Sequence, residues 1–308
     1  MPGRSQYMPS LRNSANRTGS LLGAMALIGA FAASGARADD FERTVPVQPG
    51  GTLQIELSVG SIAVETHDLE EVEIAARTSG WASRAMRFEF DHDDNELRLT
   101  GSRSSWLPGL GRGRVDVRAR IPVLFSLDLH TSGGRVDVEE VTGQVEAHTS
   151  GGDIELNQIE GEIDVETSCG SIKAREIRGD LSAQTSGGSI HVSEVNGDVE
   201  IETSGGNIRI RDVDGNVEAE TSGGSISVRF TGAPSGDIET SGGSIDVQFP
   251  EDKGVDLEAQ TSGGRVSIDE KFAISGRVER SQVEVELNGG GAELSLETSG
   301  GNIRVRAR

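Results

Sequence analysis

The feature that most constrains the fold is the tetrapeptide Thr-Ser-Gly-Gly, which recurs from residue 131 onward. Successive copies lie 18 residues apart for five steps and then 19, 21 and 37 residues apart. A fixed period of this size indicates one small structural unit that is stacked many times. The nine copies, one of which reads Thr-Ser-Cys-Gly, begin at Thr131, Thr149, Thr167, Thr185, Thr203, Thr221, Thr240, Thr261 and Thr298.

Each repeat has the pattern of two short β-strands. In the copy that begins at Thr185, apolar residues alternate at Ile190 and Val192 and again at Val199 and Ile201. Alternation with period two and enrichment in β-branched residues are typical of strands. The glycines are expected to supply the positive φ angles that tight corners often need. Because successive copies refill the same apolar positions, stacking one copy on the next would bury continuous columns.

These patterns predict an all-β fold, a parallel β-solenoid of about ten coils with two short strands per coil. The coils are 18–21 residues long, and the repeated threonine should face inward or along the corner as a hydroxyl ladder between coils. A less regular N-terminal β segment should cap the solenoid, since the first coil would otherwise expose unpaired backbone groups. Residues 276–281 are interpreted as a coil that has lost its Gly-Gly corner.

Composition divides the chain into three regions. Residues 1–38 are predicted to be a secretory signal peptide, because arginines without acids precede an apolar stretch and a small-x-small motif at 36–38. An uncleaved anchor is the alternative, but the apolar stretch is too short to span a bilayer. Residues 39–125 are predicted to form the cap segment with a loop at 102–113, and residues 126–308 the repeat domain. We therefore expect an exported protein, in the periplasm or at the cell surface, with no transmembrane segment in the mature chain.

The chain is strongly acidic, with 29 Lys and Arg against 50 Asp and Glu and a net charge of −21. Without the four arginines of residues 1–38 the net charge is −25. This excess disfavours nucleic acid and anionic lipid as partners and favours cationic partners or bound cations. The single Cys169 replaces a corner glycine and is expected to be a solvent-facing thiol or a tolerated substitution rather than a catalytic group.

One outward face of the predicted solenoid is acidic. Its stacked carboxylates either keep flat sheets soluble and apart or recognise cations and cationic partners. Within the same face, His130, His148 and Glu166 are successive members of one column, and two imidazoles with a carboxylate could hold Zn²⁺ or Cu²⁺. The alternative is chance exposure of two histidines. The candidate binding residues of this face are Glu146, Asp164, Glu200, Glu202, Glu218 and Glu220.

The loop at 102–113 is rich in Gly, Pro and Ser but contains Trp106, Leu107 and Leu110. These apolar side chains either fold back over the core of the cap or form an exposed contact for a partner or a membrane surface. The serine of each Thr-Ser-Gly-Gly copy has no matched base in the pattern, and nine such nucleophiles would make no catalytic sense. We therefore expect no catalytic residues.

The repeated Thr-Ser-Gly-Gly-x-Ile-x-Val motif, the Ile121-Pro-Val segment and the signal peptide resemble the bacterial "putative-adhesin" family of envelope β-repeat proteins. The resemblance covers about residues 50–308. It implies a β-solenoid and an envelope or secreted location, and some members look linked to envelope-stress signalling. No catalytic residues are implied.

The sequence thus predicts a non-enzymatic binding or scaffold protein of the cell envelope that presents flat charged faces. Its partner would be an envelope protein or a glycan, with no cofactor other than a divalent cation. Two alternatives stay open: an envelope-stress sensing or regulatory protein that acts through the cap and the Trp106 loop, and a polysaccharide-active enzyme.

Overall fold

The computed structural model describes residues 41–80, 82–103 and 113–308, which belong to one compact unit. The predicted signal peptide and the candidate contacts Trp106, Leu107 and Leu110 lie outside these residues. The described chain forms 27 strands in two sheets, of 13 and 14 strands, and one helical turn.

The elements of the N-terminal part are β1 (Phe41–Pro46), β2 (Gly51–Leu57), β3 (Ser61–His67), β4 (Glu71–Gly80), α1 (Ala82–Ala85), β5 (Met86–Asp93), β6 (Glu96–Arg103), β7 (Gly113–Pro122), β8 (Phe125–Thr131) and β9 (Val136–Glu139). The central strands are β10 (Val145–Thr149), β11 (Ile154–Glu160), β12 (Ile163–Thr167), β13 (Ile172–Arg178), β14 (Leu181–Thr185), β15 (Ile190–Asn196), β16 (Val199–Thr203), β17 (Ile208–Asp214), β18 (Val217–Thr221) and β19 (Ile226–Phe230). The C-terminal strands are β20 (Gly236–Thr240), β21 (Ile245–Phe249), β22 (Val255–Thr261), β23 (Val266–Ile268), β24 (Ile274–Val278), β25 (Gln282–Leu287), β26 (Ala292–Thr298) and β27 (Ile303–Ala307).

One coil contributes a strand to each sheet. Strand β10 lies in the 14-stranded sheet, the Thr-Ser-Gly-Gly corner leads to β11 in the 13-stranded sheet, and a bend at Gly161 returns the chain to β12. Equivalent residues pair in parallel one coil apart, as Val145 does with Ile163. The described residues contain eleven such coils, so the predicted parallel β-solenoid is confirmed.

The core consists of the columns of inward-facing apolar residues. Ile154, Ile172, Ile190 and Ile208 follow one another on adjacent strands and are essentially inaccessible to solvent. Each such side chain contributes about 1.5–3 kcal/mol to folding before conformational entropy is subtracted. A single coil cannot bury its own apolar face, so the stack is the stable unit.

The threonine ladder forms, but it links hydroxyls to carbonyls rather than hydroxyls to each other. Thr203 is buried, and its Oγ1 donates to the carbonyl oxygen of Gly188 in the preceding coil at 3.0 Å. The same Oγ1 accepts a hydrogen bond from the backbone N–H of Gly206 at 3.3 Å. Each corner therefore satisfies backbone groups both within its coil and between coils.

The second corner glycine is required by close approach, and the prediction of positive φ at these corners is wrong. A Cβ built on Gly188 would lie 1.8 Å from the carbonyl oxygen of Gly170, because adjacent corners stack with their backbones in contact. Positive φ occurs instead at the opposite bend, where Gly161 has φ 147° and Gly197 has φ 150°.

The strands of the 13-stranded sheet are interrupted by a non-glycine residue in the left-handed region. Gln158 has φ 57° and no partner in the register, and the next residue, Ile159, turns inward and is buried. Adjacent strands contain this left-handed residue at the same register position, so it is a kink shared by neighbouring coils. The kink shifts the alternation by one residue and allows one more apolar residue per coil to reach the core. The equivalent positions are Glu140, Glu176, Glu194 and Asp212.

The C-terminal coils do not stack in chain order. Strand β26 pairs with both β20 and β22, and β27 pairs with both β21 and β23, so the last coil of the chain lies second from the end of the stack. The interpretation of residues 276–281 as a coil without its corner is wrong. Strands β24 and β25 form an antiparallel hairpin that continues the 14-stranded sheet beyond β22.

The N-terminal end follows the same plan. The coil of β2 and β3 lies between the coil of β8 and β9 and the coil of β6 and β7. Strands β1, β4 and β5 then add antiparallel pairs at the outer edges of the two sheets. The less regular N-terminal β segment expected from the sequence is therefore present, and it protects the edges that parallel stacking leaves open.

Candidate functional site

The outward face of the 14-stranded sheet carries all the acidic residues that the sequence singled out. In-register pairing places their side chains in two neighbouring columns along the stack, one residue per coil. Adjacent strands lie about 4.8 Å apart, so carboxylates on successive coils are close neighbours. The predicted candidates on this face are Glu146, Asp164, Glu200, Glu202, Glu218 and Glu220, and the columns continue through Asp237, Glu239 and Glu297.

Accumulated negative charge perturbs this face. The pKa of Glu239 is raised above its ordinary value of 4.5, first by partial burial and then by repulsion from Asp237, Glu297 and Glu220. A bound cation or a cationic partner would therefore reduce the repulsion between the carboxylates of this face.

The opposite face, on the 13-stranded sheet, carries a cluster of cations over the same coils. Arg209 and Arg211 lie beside His191 and Ser193, which in turn lie beside Lys173 and Arg175. The pKa of His191 is lowered by burial and then by Arg209, Lys173 and Arg211. The two outer faces therefore differ in charge: the 14-stranded sheet carries columns of acids over these coils, whereas the 13-stranded sheet carries this basic cluster among acidic residues such as Glu155 and Asp246.

An ion-pair ladder borders this cationic cluster. Glu155 contacts both Arg135 and Lys173, with 2.6 Å between the Lys173 Nζ and the Glu155 Oε1, and Arg135 Nε lies 2.7 Å from Asp137 Oδ1. The pKa of Glu155 is lowered, chiefly by its hydrogen bond to Lys173, whereas the pKa of Asp137 is raised, chiefly by burial. These contacts cross three coils and tie them together at the surface.

The two histidines of the acidic face lie against each other. The rings of His130 and His148 stack with centroids 4.7 Å apart. His130 Nδ1 lies 2.8 Å from Asp128 Oδ1, and His148 Nε2 lies 3.0 Å from Glu146 Oε1. Glu166 lies on the next coil, with its Oε2 3.5 Å from His148 Nδ1.

A cavity of about 520 Å³ opens beside this pair, along the corner edge of the 14-stranded sheet. Strands β2, β6, β8, β10 and β12, with residues that follow them at the corners, contribute to its wall. The two imidazoles are therefore open to solvent on this side, and backbone and hydroxyl groups of the corners lie next to them. Its lining includes Glu56, Gly101, His130, Ser132, His148 and Glu166.

The geometry brings three further residues to the histidines: Gln54 and Asp128, and also Glu146, which the sequence singled out only as a binding residue of the acidic face. Ligand atoms of His130, Glu146 and His148 lie within 4.8 Å of one another, so Glu146 joins the two imidazoles at the centre of the cluster. Asp128 also contacts a histidine, and Gln54 Nε2 donates to Asp128 Oδ2 at 2.7 Å. The signal for Asp128 and Glu146 was their position two residues before each histidine, which puts them on the same face of the strand.

Cys169 is exposed, as the sequence indicated. It occupies the first corner position, where a Cβ has room: one built on the equivalent Gly187 would meet nothing nearer than 3.7 Å. No helix in the described part of the chain is long and apolar enough to cross a membrane.

Two largely parallel sheets that are wound from one repeated coil define a repeat protein of the β-solenoid class. Residues 52–306 match the family model of Toastrack DUF4097, and the chain therefore belongs to that family. The relationship to the envelope β-repeat proteins that the motif indicated is confirmed. None of the curated proteins compared with the chain matches it.

Solved structures that align with the chain include a "putative cell adhesion protein" from Clostridium sporogenes, at 14% identity and a TM-score of 0.24, over 87% of this chain and all of that one. A "putative adhesin" from Parabacteroides distasonis aligns at 10% identity and a TM-score of 0.37, over 87% of this chain and 97% of that one. A "putative adhesin" from Bacteroides fragilis aligns at 12% identity and a TM-score of 0.27, over 88% and 98%. Similarities this low say nothing about what the chain binds.

Proposed function

We propose that the protein is a non-enzymatic binding or scaffold protein of the cell envelope, exported to the periplasm or the cell surface. The observation that carries this proposal is the run of acidic residues along the outer face of the rigid 14-stranded sheet. Glu200, Glu202, Glu218 and Glu220 form a block of adjacent carboxylates on one sheet. A flat surface of this kind suits recognition of an extended, cationic surface of an envelope protein or glycan.

The rigidity of the solenoid supports a binding role. Each of the nine coils with a repeated corner threonine is fixed to a neighbouring coil by strand hydrogen bonds in both sheets and by that buried threonine. The outward side chains therefore project from a scaffold that changes little on binding. Affinity then requires little ordering of the protein backbone.

The test compares two matched variants that each neutralise one face. Glu200→Gln, Glu202→Gln, Glu218→Gln and Glu220→Gln are combined in the first, and Lys173→Gln, Arg175→Gln, Arg209→Gln and Arg211→Gln in the second. Immobilised protein is exposed to envelope extracts, to polylysine and to a polyuronate at about 0.15 M salt, where charges beyond about 8 Å are screened.

The proposal expects the acidic-face variant to lose capture of the envelope ligand and of polylysine, while the basic-face variant retains both. Unchanged capture by both variants would exclude binding through the acidic face. Loss confined to the basic-face variant, together with polyuronate binding by the wild type, would move the binding surface to the other sheet.

A further inference from the structure

The histidine pair carries chemistry that a purely charge-based surface does not need. His130 and His148 are stacked on successive coils within a row that otherwise consists mainly of Glu and Gln, as the paired residues Glu166 and Gln184 illustrate. Imidazole is the commonest nitrogen ligand of Zn²⁺ and Cu²⁺ in proteins. The side chains are 43% and 27% exposed, and the cavity beside them admits an ion.

A carboxylate lies near the Nδ1 atom of each ring. Asp128 Oδ1 lies 2.8 Å from His130 Nδ1, and Glu166 Oε2 lies 3.5 Å from His148 Nδ1. Gln54 donates to the other oxygen of Asp128, which fixes the orientation of that carboxylate. Around metal-binding histidines a carboxylate typically accepts the Nδ1 proton and leaves Nε2 to the metal. Here Asp128 Oδ1 and His130 Nδ1 are buried without a hydrogen-bond partner, so a rotation of either side chain is needed to complete that arrangement.

The third donor is Glu146. Its Oε1 lies 3.0 Å from His148 Nε2, and one ligand atom from each of His130, Glu146 and His148 falls within 4.8 Å of the others. Donor atoms around a tetrahedral ion with bonds of about 2.0–2.1 Å lie about 3.3 Å apart. Binding therefore requires the three side chains to rotate towards a common point, and their partial exposure leaves room for that movement.

We propose that His130, His148 and Glu146 bind one divalent ion of the Zn²⁺ or Cu²⁺ type, with remaining positions open to water. Asp128 and Glu166 are positioning residues, which revises the sequence-based expectation that Glu166 is itself a ligand. The surrounding acidic columns raise the local concentration of cations and favour ion entry. The site does not depend on which partner the acidic face recognises.

The experiment titrates the purified protein with ZnCl₂ and with CuSO₄ by calorimetry at about 0.15 M salt, with CaCl₂ as the probe for purely electrostatic binding. We expect one Zn²⁺ or Cu²⁺ per chain and no comparable Ca²⁺ binding. His130→Ala and His148→Ala should each lower the affinity at least 100-fold. His191→Ala is the matched control on the other sheet and should leave the affinity unchanged.

Two further readouts test the ligand set. The electron paramagnetic resonance spectrum of the Cu²⁺ form should show coupling to two imidazole nitrogens, and to one in His130→Ala. Glu166→Gln should weaken binding about 10- to 100-fold while keeping both couplings, and Glu146→Gln should weaken it more. A variant that combines His130→Ala with His148→Ala and still binds the ion as tightly as the wild type would exclude the site. A larger loss from Glu166→Gln than from Glu146→Gln would overturn the assignment of the third ligand.

Discussion

The hydroxyl of Thr203 donates a hydrogen bond to the carbonyl oxygen of Gly188, 15 residues earlier and one coil away, at 3.0 Å. The same relationship joins each of the other corners to a neighbouring coil, including Thr185 to Gly170 and Thr221 to Gly206. The repeated threonine is therefore a recurring buried polar link between coils, in addition to the apolar columns and the strand hydrogen bonds.

Replacement of Thr203 by Val keeps the shape of the side chain but leaves the Gly188 carbonyl and the Gly206 N–H without their partner. An unsatisfied buried polar group costs about 1–3 kcal/mol, so the free energy of unfolding should fall by that amount. Urea unfolding followed by circular dichroism measures it. Thr203→Ser retains the hydroxyl and should lose clearly less; equal losses in the two variants would contradict the role of the hydrogen bonds.

The two corner glycines should respond oppositely to alanine. A Cβ on Gly206 would lie 1.7 Å from the Gly188 carbonyl oxygen, whereas one on Gly205 would meet its nearest atom at 3.6 Å. Gly206→Ala forces adjacent coils apart and should destabilise the protein by about 1–3 kcal/mol or more. Gly205→Ala should change stability by less than about 0.5 kcal/mol. Thermal unfolding of the pair decides this, and similar melting points would argue against backbone contact between corners.

The repeat made most of this architecture predictable. Fixed spacing and period-two alternation specify parallel coils, inward columns and the acidic outward face that contains Glu200 and Glu218. The order in which the coils stack at the two ends was not predictable. The coil that contains Thr298, for example, offers the same apolar columns to any neighbouring coil. The 37-residue step that precedes it was compatible with either a degraded coil or a hairpin.

The histidine cluster was only partly predictable. In-register stacking places His130 next to His148 and Glu166 one coil further, as the sequence indicated. The pairing between carboxylates and ring nitrogens depends on side-chain rotamers. In the structure Glu146, and not Glu166, approaches His148 Nε2. Rotamers on an exposed face are set by neighbouring side chains, which a strand pattern does not specify.

Crowding of carboxylates should make Glu239 a source of pH-dependent instability. Its folded-state pKa is raised above 4.5 by burial and by Asp237, Glu297 and Glu220, so the folded protein binds the proton more readily than the unfolded chain. The unfavourable interaction is present at neutral pH and disappears as the pH falls below the unfolded pKa. Glu239→Gln should therefore stabilise the protein at pH 7, by a few tenths of a kcal/mol for so exposed a group. Unfolding curves measured from about pH 3.5 to about pH 8, which covers the range in which carboxylates titrate, should show that the stabilisation by Glu239→Gln vanishes in acid. A difference in unfolding free energy that stays constant with pH would count against repulsion as its cause.

Glu155 should show the opposite sign. Its pKa is lowered below 4.5, mainly through the hydrogen bond from Lys173, so its ionised form is stabilising. This contribution is present above the unfolded pKa and is lost as the pH falls through the lowered folded pKa. Glu155→Gln should cost about 0.2–1 kcal/mol at pH 7 and little in strong acid. The same unfolding series measures it, and added salt should reduce the difference. A loss that persists unchanged at acidic pH would exclude the ion pair as its cause.

The interleaved C-terminal coil makes a prediction about local stability. Strand β27 has hydrogen-bonded neighbours on both sides, β21 and β23, although it is the last strand of the chain, whereas β24 pairs only with β25 at the sheet edge. Amides at the ends of chains usually exchange quickly because terminal segments fray at little cost. Here Val305, buried and paired on both sides, should exchange as slowly as Val228 in a central coil, and the exposed Ile274 and Val278 should exchange much faster. Hydrogen–deuterium exchange resolved by peptide or by residue tests this order. Rapid exchange throughout β27 would mean that the last coil lies at the end of the stack, in chain order, rather than between two others.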